Sequence, residues 1–367
     1  MAKYIYEYKN WTNFTWRETD INALFGEVRN LQGKINGQMN TLGFVTKEEA
    51  NLATLTLDVI KSSEIEGEKL DYDQVRSSIA RRLGINMAGL VTTNRNVEGV
   101  VEMMLDANQN YNKALTNKRL FGWHSALFPG GHSGIHKIKV GAYQSGEMQI
   151  VSGAIGKEKV HYDAVPAGKV KEEMDIFLKW FNGNSTLDPV LKAAIAHFWF
   201  IIIHPFDDGN GRIARAISDL MLARADGTAE RYYSMSSQIL VERKQYYEVL
   251  QKVQHSSGDI TDWLKWFLSC LKNSLLATEI TLRKIMRKSE FWKTHENTSL
   301  NERQRFVLNK LLEGFDGKLK SSKWAKMTKC SSDTALRDIK DLMDKGILRQ
   351  EQQGGRSTNY ELIDFLF

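Results

Sequence analysis

The densest group of residues able to do chemistry in this chain is His204-Pro-Phe-Asp-Asp-Gly-Asn-Gly-Arg-Ile-Ala-Arg215. Its pattern predicts a buried helix ending in His204, a stop at Pro205 and a tight loop over Gly209-Asn210-Gly211. A new helix then runs from Arg212 to Ala225. Glycines ahead of a helix let backbone N–H groups approach an anion, and the positive helix end favours phosphate. Arg212 and Arg215, three apart, share a helix face and can both address a polyphosphate. Asp208 stands where a carboxylate can hold Mg²⁺ against phosphate oxygens, a hard cation that needs few protein ligands. An imidazole ordinarily titrates near neutral pH, so His204 suits removal of a hydroxyl proton. Singly, a histidine after an apolar helix is more often structural, and Gly-Asn-Gly is more often a plain turn. Together they describe a site for nucleotide transfer.

The elements that must position this segment are mostly helical. Asp188-Pro189 is a strong start signal, a capping carboxylate followed by proline at the first helical position. The helix after it, Val190 to about Ile203, is apolar nearly all round and belongs at the centre of a bundle. Upstream, Thr46 with Glu49 reads as a capping box opening a helix that runs to about Ser62 or Glu66. Helices are also expected over Tyr72–Leu83, Thr93–Leu115, Asn117–Leu127, Lys169–Phe181, Leu240–Gln254 and Ile260 to about Ile285. Between Gly130 and Pro166 glycines become frequent, and β-type runs appear at Ile138–Tyr143, Met148–Val151 and Lys159–Tyr162. That stretch predicts a small hairpin. The alternation of Tyr4, Tyr6 and Tyr8 reads as a short strand or an extended arm docked on the body.

The tail is distinct. Ser299-Leu-Asn-Glu302 reads as a capping box opening a helix through Leu312. A short helix at Ser322–Met327 follows, then a turn and a helix from about Asp333 to Lys345. Two strands, Ile347–Gln353 and Asn359–Ile363, flank Gly354-Gly355. That order resembles a winged helix. Leu336, Ile339 and Leu342 are expected to face inward, Arg337 and Lys340 to face solvent, and Arg349 and Arg356 to lie on the wing. From Asn301 to Phe367 there are 13 Lys+Arg against 10 Asp+Glu, a balance of only +3. Contact with DNA and contact with protein therefore both stay open for this tail.

The twelve-residue string resembles the Fic-family motif His-x-Phe-x-(Asp/Glu)-Gly-Asn-Gly-Arg-x-x-Arg at every specified position. The resemblance implies a mainly α fold: a Fic helical bundle with a β-hairpin flap, an N-terminal helical region and a C-terminal winged-helix domain. Residues 1–115 would be the accessory region, with an inhibitory helix at about 46–67. Residues 116–290 would be the Fic core, with the flap at about 138–162 and the motif at 204–215, and residues 299–367 the winged helix. It further implies a protein adenylyltransferase moving AMP from ATP to a Ser, Thr or Tyr hydroxyl, with Mg²⁺. His204 would be the general base, and Phe206 a structural anchor of the loop. Asp208 would be the metal ligand, Gly209, Asn210 and Gly211 the anion hole, and Arg212 and Arg215 would hold the outer phosphates. The kinase branch of the family has Lys at the second Gly, so Gly211 argues for nucleotidyl transfer.

Two further segments are similar to the same family. The hairpin around Met148–Val160 occupies the position of the flap that docks a target segment by strand addition. Ser62-Ser-Glu-Ile-Glu66-Gly67 matches the inhibitory motif (Ser/Thr)-x-x-x-Glu-(Gly/Asn). A carboxylate delivered to Arg215 as a bidentate pair would take the γ-phosphate's place. Tyr246 and Tyr247 fall on a helix similar to one that closes the nucleotide pocket, where one of them would stack on adenine. Transfer of another phosphate-containing group, removal of AMP, and a nucleotide-sensing DNA-binding regulator remain rival readings. The target protein, self-modification and a homodimer are left open.

Composition sets the outer bounds. The 367 residues are 42% hydrophobic and 26% charged, with 4 Pro, which fits a helix-rich folded chain of two or three domains. No low-complexity tract or sustained heptad is present, which excludes disordered and coiled-coil classes. Cys270 and Cys330 cannot build a disulfide framework, and the run Ala193–Ile203 is about half of the ~20 residues a membrane span needs. The N-terminal residues lack the apolar stretch of a signal peptide, so a soluble cytoplasmic protein without membrane contact is expected. The net charge of +6 permits an acidic partner without requiring one.

Overall fold

The computed structural model describes residues 2–86, 89–152, 159–313, 317–351 and 358–363. The chain forms two compact units, residues 1–278 and 279–367.

Unit 1 opens with a single 3-10 turn at Ile5–Glu7, not a strand. Tyr4 is buried while Tyr8 points to solvent. The tyrosine alternation reflects one residue packed and one exposed, with no partner strand for its backbone. The helices follow as α1 (Glu18–Thr41), α2 (Phe44–Ile65), α3 (Tyr72–Leu83), α4 (Arg95–Gln109) and α5 (Asn117–Leu127). Side-chain caps start three of them: Asp71 accepts from the Gln74 N–H, Asn94 from Val97 and Thr116 from Arg119. α2 starts two residues before Thr46, from Gly43, so the expected Thr46–Glu49 box does not form. The Thr46 and Lys47 amides bond the Gly43 carbonyl instead, and Glu49 pairs with Arg76 across to α3.

A two-residue ladder, β1 (His132–Ser133) and β2 (His136–Lys137), precedes the hairpin β3 (Gln149–Ser152) and β4 (Lys159–Asp163). The run Ile138–Tyr143 is irregular rather than extended. β3 and β4 are antiparallel with a register irregularity between Ile150 and Val151, and the hairpin tip lies outside the described residues. Then come α6 (Ala167–Asn182), α7 (Pro189–Ile203), α8 (Asn210–Asp226), α9 (Met235–Val241), α10 (Arg243–Val253) and α11 (Thr261–Thr294). The helix expected over Leu240–Gln254 is thus broken at Glu242, the C-cap of α9 and N-cap of α10.

α7 is the axis of unit 1. Asp188 caps it from below, accepting from the Val190 N–H at 2.8 Å, with Pro189 at the first helical position. Every residue from Val190 to Phe200 is buried, and α8 packs along it. Its aromatic side chains interlock with neighbours: Trp199 meets Trp11, Phe14, Phe177 and Trp180. A helix without a polar face has no other stable place in water.

In unit 2, α12 (Glu302–Glu313), α13 (Ser321–Thr328), α14 (Ser332–Asp344) and the antiparallel pair β5 (Leu348–Gln350) and β6 (Tyr360–Leu362) enclose a core around Trp324, Leu308, Ile339 and Leu342. The capping box sits at Asn301 and Gln304, two residues beyond the expected place, with reciprocal bonds of 2.9 Å. Leu336 faces outward, 37% exposed. Ala335 and Asp338 share the buried face with Ile339 and Leu342, and Arg303 pairs with Asp338 at 2.7 Å. Gly354, Gly355 and Arg356 lie outside the described residues. No described helix is long and apolar enough to cross a membrane.

The central position of α7 sets a measurable consequence. Phe200→Ala, which empties a fully buried ring site, should lower stability by about 3–5 kcal/mol in urea denaturation of unit 1.

Candidate active site

α7 ends because Pro205 cannot continue it, and His204 takes a left-handed conformation (φ 52°, ψ 57°). That region disfavours a residue with a Cβ, so the surroundings must hold it. They do so through three carbonyls. The Tyr162 hydroxyl of β4 donates to Ile202 O at 2.8 Å, and the buried Gln144 side chain donates to His204 O at 3.2 Å. The Gln144 amide also donates to Pro205 O at 2.9 Å. Neither Gln144 nor Tyr162 stands in the motif, and no spacing marks them in the sequence.

The loop is pinned at its far side as well. Phe206 is fully buried and stacks on His124 at 4.4 Å. The Asn210 side chain accepts from Phe206 N–H at 3.0 Å and donates to Phe206 O at 2.7 Å. Asn210 therefore offers a ligand only its backbone. Gly209 (φ 79°) caps α8 with no side-chain bond, and a Cβ there would press into the Phe128 ring at 2.9 Å. The first N–H groups of α8 are thereby left without side-chain or helical acceptors.

Charge gathers at that helix end. Arg212 and Arg215 are both buried, and Arg212 Nε and Arg215 Nη1 have no hydrogen-bond partner. A buried donor without an acceptor is costly, and a polyanion would supply acceptors. Asp208 accepts from Gly209 N–H at 2.5 Å and from the Ser133 hydroxyl, which leaves lone pairs on both oxygens. Among the described residues no three His, Cys, Asp or Glu side chains converge. A cation held by Asp208 must take the rest of its shell from water or substrate oxygens.

The end of α2 closes this corner. Arg215 Nε donates to Ser62 Oγ at 2.9 Å, and Nη2 donates to Ser62 O at 2.8 Å and Glu66 Oε1 at 2.7 Å. The expected bidentate pair is replaced by a single carboxylate oxygen on Nη2, with Ser62 on Nε and Nη2 and Nη1 left over. Glu66 Oε1 also lies so close over Gly211 that a Cβ at Gly211 would collide with it. Arg212 Nη1 meets Glu68 Oε2 at 2.6 Å, a pairing with no counterpart in the sequence reading. Arg243 of α10 donates to Ile65 O at 2.9 Å.

Burial lowers the His204 pKa to about 4, against smaller opposing effects of the Ile201 carbonyl, Glu66 and Asp208. The near-neutral value expected of a free imidazole is thus corrected downward, and the ring is neutral at pH 7. Tyr246 is buried in an aromatic group with Trp263 and Trp266, and its hydroxyl bonds His197 Nε2 at 2.9 Å. Its ring is core, which takes it out of the adenine-stacking role. Tyr247 is 41% exposed under the Arg243 guanidinium.

The helical bundle thus sets an uncapped helix N-terminus and two buried arginines at the end of the loop that follows His204. Residues 114–222 match the Fic/DOC family, and residues 4–85 match a domain of unknown function, DUF4172. The match to the Fic/DOC family thus covers the stretch that carries the motif. It is 23% identical over 222 residues to a protein adenylyltransferase Fic of Nematostella vectensis, covering 59% of this chain and 47% of the relative. With the Aedes aegypti protein of the same name it shares 25% over 221 residues, covering 59% and 40%. The chain thus spans about half the length of these relatives, or less. A Fic family protein from Desulfovibrio desulfuricans G20 has the same fold, with TM-score 0.56 at 21% identity over 96% of this chain and 98% of that one.

Burial also sets a pH dependence of stability. His124 and His204 are lowered to about 4 and His197 to about 3, in each case chiefly by burial. Each takes up a proton more readily in the unfolded chain, whose value is about 6.5, so stability is lost as pH falls. Thermal denaturation between pH 7 and pH 4 should show Tm falling from about pH 6.5 downward, and His197→Phe should flatten part of that slope.

Proposed function

We propose that the protein is an adenylyltransferase that moves AMP from ATP to a Ser, Thr or Tyr hydroxyl of a target protein, restrained by Glu66. The observation that carries this reading is the uncapped start of α8, with unpartnered nitrogens of two buried arginines beside it. The names of the relatives, protein adenylyltransferases, point the same way.

In this reading the backbone N–H groups around Gly209, Asn210 and Gly211 receive the inner phosphates, and Arg212 and Arg215 receive the outer ones. His204, neutral at pH 7, accepts the target hydroxyl's proton. The hydroxyl oxygen bonds the α-phosphorus, the bond to the bridging oxygen breaks, and pyrophosphate leaves. Approach of the triphosphate raises the imidazole's affinity for that proton, since a nearby anion favours the charged ring. Asp208 would hold Mg²⁺, whose contribution when bound is neutralisation of phosphate charge. Tyr247 is the candidate for stacking on adenine. The target segment would add as a strand to β3, the strand of the flap that β4 leaves free on one side. Tyr162 ties that hairpin's base to the backbone beside His204.

Glu66 restrains the site in this reading because its carboxylate takes Arg215 and the space over Gly211. ATP then binds without its outer phosphate in place. The experiment is incorporation of label from α-labelled ATP into lysate proteins. Glu66→Gly should raise incorporation at least about tenfold, the equivalent of 1.4 kcal/mol. His204→Ala in that background should lower it about 100- to 10,000-fold. Label from other nucleotides in place of ATP would point to a different group transfer.

A second reading draws on unit 2, where Lys326, Lys329, Arg337 and Lys340 are exposed on α13, α14 and the turn between them. Such a basic helix-turn-helix surface suits nucleic acid. A mobility shift on DNA fragments, with no incorporation by the Glu66→Gly protein, would favour a nucleotide-sensing regulator instead.

A further inference from the structure

The segment after α2 is a closed helix cap. Glu68 N–H donates to Ser63 O at 3.0 Å and Gly67 N–H donates to Glu64 O at 3.0 Å, with Gly67 left-handed at φ 85°. Those two bonds define the Schellman arrangement, in which the position after the helix cap needs glycine or asparagine. Here that position lies between two carboxylates. Glu66 is the C-cap and Glu68 stands two residues on, so one turn presents both acids toward α8. Glu66 reaches Arg215 and Glu68 reaches Arg212, at 2.7 and 2.6 Å. Arg212 is 7% exposed, whereas Glu68 is 35% exposed. The arginine is built into the body, and the acid approaches from outside.

We propose that Glu68 is a second inhibitory residue: the α2 cap is a two-pronged clamp that withholds both motif arginines from the nucleotide. This inference rests on the reading of Arg212 and Arg215 as phosphate ligands. A guanidinium already bonded to a carboxylate must exchange it for phosphate, so each acid weakens nucleotide binding by the worth of one charge-assisted bond. The face of Arg212 lies 5.1 Å from the Phe128 ring, which keeps the guanidinium in place when Glu68 leaves. The Glu68 prong can swing away without undocking the helix. The Arg243 bond to Ile65 O and the bonds from Ser234 Oγ and Ser236 N–H to Asp58 hold α2 upstream of Glu66. Gly67 is the joint, and nothing stands within 4 Å of its Cβ position.

The clamp makes Glu66 alone an incomplete account of restraint. Affinity for ATP with Mg²⁺ would be measured by titration calorimetry on the full chain, together with incorporation of α-labelled AMP. The variants are Glu68→Gln, Glu66→Gly and the double substitution. Glu68→Gln should tighten ATP binding roughly ten- to a hundred-fold in either background. Gly67→Ala strains the cap while leaving both acids, and should tighten binding in the same direction by a smaller factor. Unchanged affinity for Glu68→Gln in both backgrounds, with Glu66→Gly labelling normally, overturns the clamp alone. Weaker binding in Glu68→Gln also overturns it, since Glu68 would then be orienting Arg212 for the ligand. A folded double variant that neither binds ATP nor transfers label overturns the adenylyltransferase reading itself, and thermal melting separates that result from loss of fold.

Discussion

The guanidinium of Arg215 is the point on which the site depends. It is a permanent charge that is nearly inaccessible to water, so its donors must be met by something. Ser62 meets two of them and Glu66 a third, while Nη1 stays unpartnered. A buried cation with part of its demand unmet favours any anion able to enter, and repels none. The present partner is a carboxylate carried by the chain, which places the end of α2 and the start of α8 in one electrostatic unit. Behind it, Ser218, His197 and Tyr246 form a buried hydrogen-bonded row joining α8, α7 and α10. The Ser218 hydroxyl donates to Ala214 O at 3.0 Å, so His197 Nδ1 supplies the proton it accepts, and Nε2 receives that of Tyr246. The row fixes the helix that carries Arg215 without presenting a charge of its own.

The backbone at His204 shows the complementary constraint. A left-handed residue with a side chain, placed at the end of an apolar helix, leaves several carbonyls without helical donors. Gln144 and Tyr162 close them from the segment leading into the hairpin and from its second strand. The strain is therefore held by residues separated from the motif by 40 to 60 positions. Those same residues link the hairpin to the loop. Geometry at the imidazole and geometry at the flap are set by shared bonds rather than by proximity alone.

Much of this was legible in the sequence where the signal is local. Asp188-Pro189 opens α7 because cap and proline act within one turn, and Tyr72–Leu83 and Asn117–Leu127 match α3 and α5 because Asp71 and Thr116 cap them. The motif loop was legible in part: Pro205 and Gly209 mark its ends, whereas Asn210 and Gly211, read as loop, open α8. Where two local signals compete, the chain follows the one less evident in the sequence. Gly43 opens α2 ahead of Thr46, Asn301 with Gln304 outcompetes Ser299 with Glu302, and Ala335 with Asp338 turns Leu336 outward. Contacts made across the fold left no trace. Glu68 looks like any exposed acid until α8 is beside it, Gln144 like a polar residue in a loop, and Tyr246 like a pocket aromatic until His197 receives its hydroxyl.

The amino-terminal segment carries a consequence for how the molecule is assembled. Ile5 N–H bonds Gln254 O at 2.8 Å, His255 bonds the Lys3 carbonyl at 2.7 Å, and Thr15 sits between Gly258 and Ile260. The loop these bonds close spans almost all of unit 1. Closing so long a loop is entropically unfavourable until the intervening helices have condensed. On a ribosome, residues 3–15 would wait for the 254–260 stretch to emerge before finding their final neighbours. Completion of the imidazole's corner, where Tyr4 and Tyr6 rest against Tyr162, is thereby deferred until the 254–260 stretch has been synthesised.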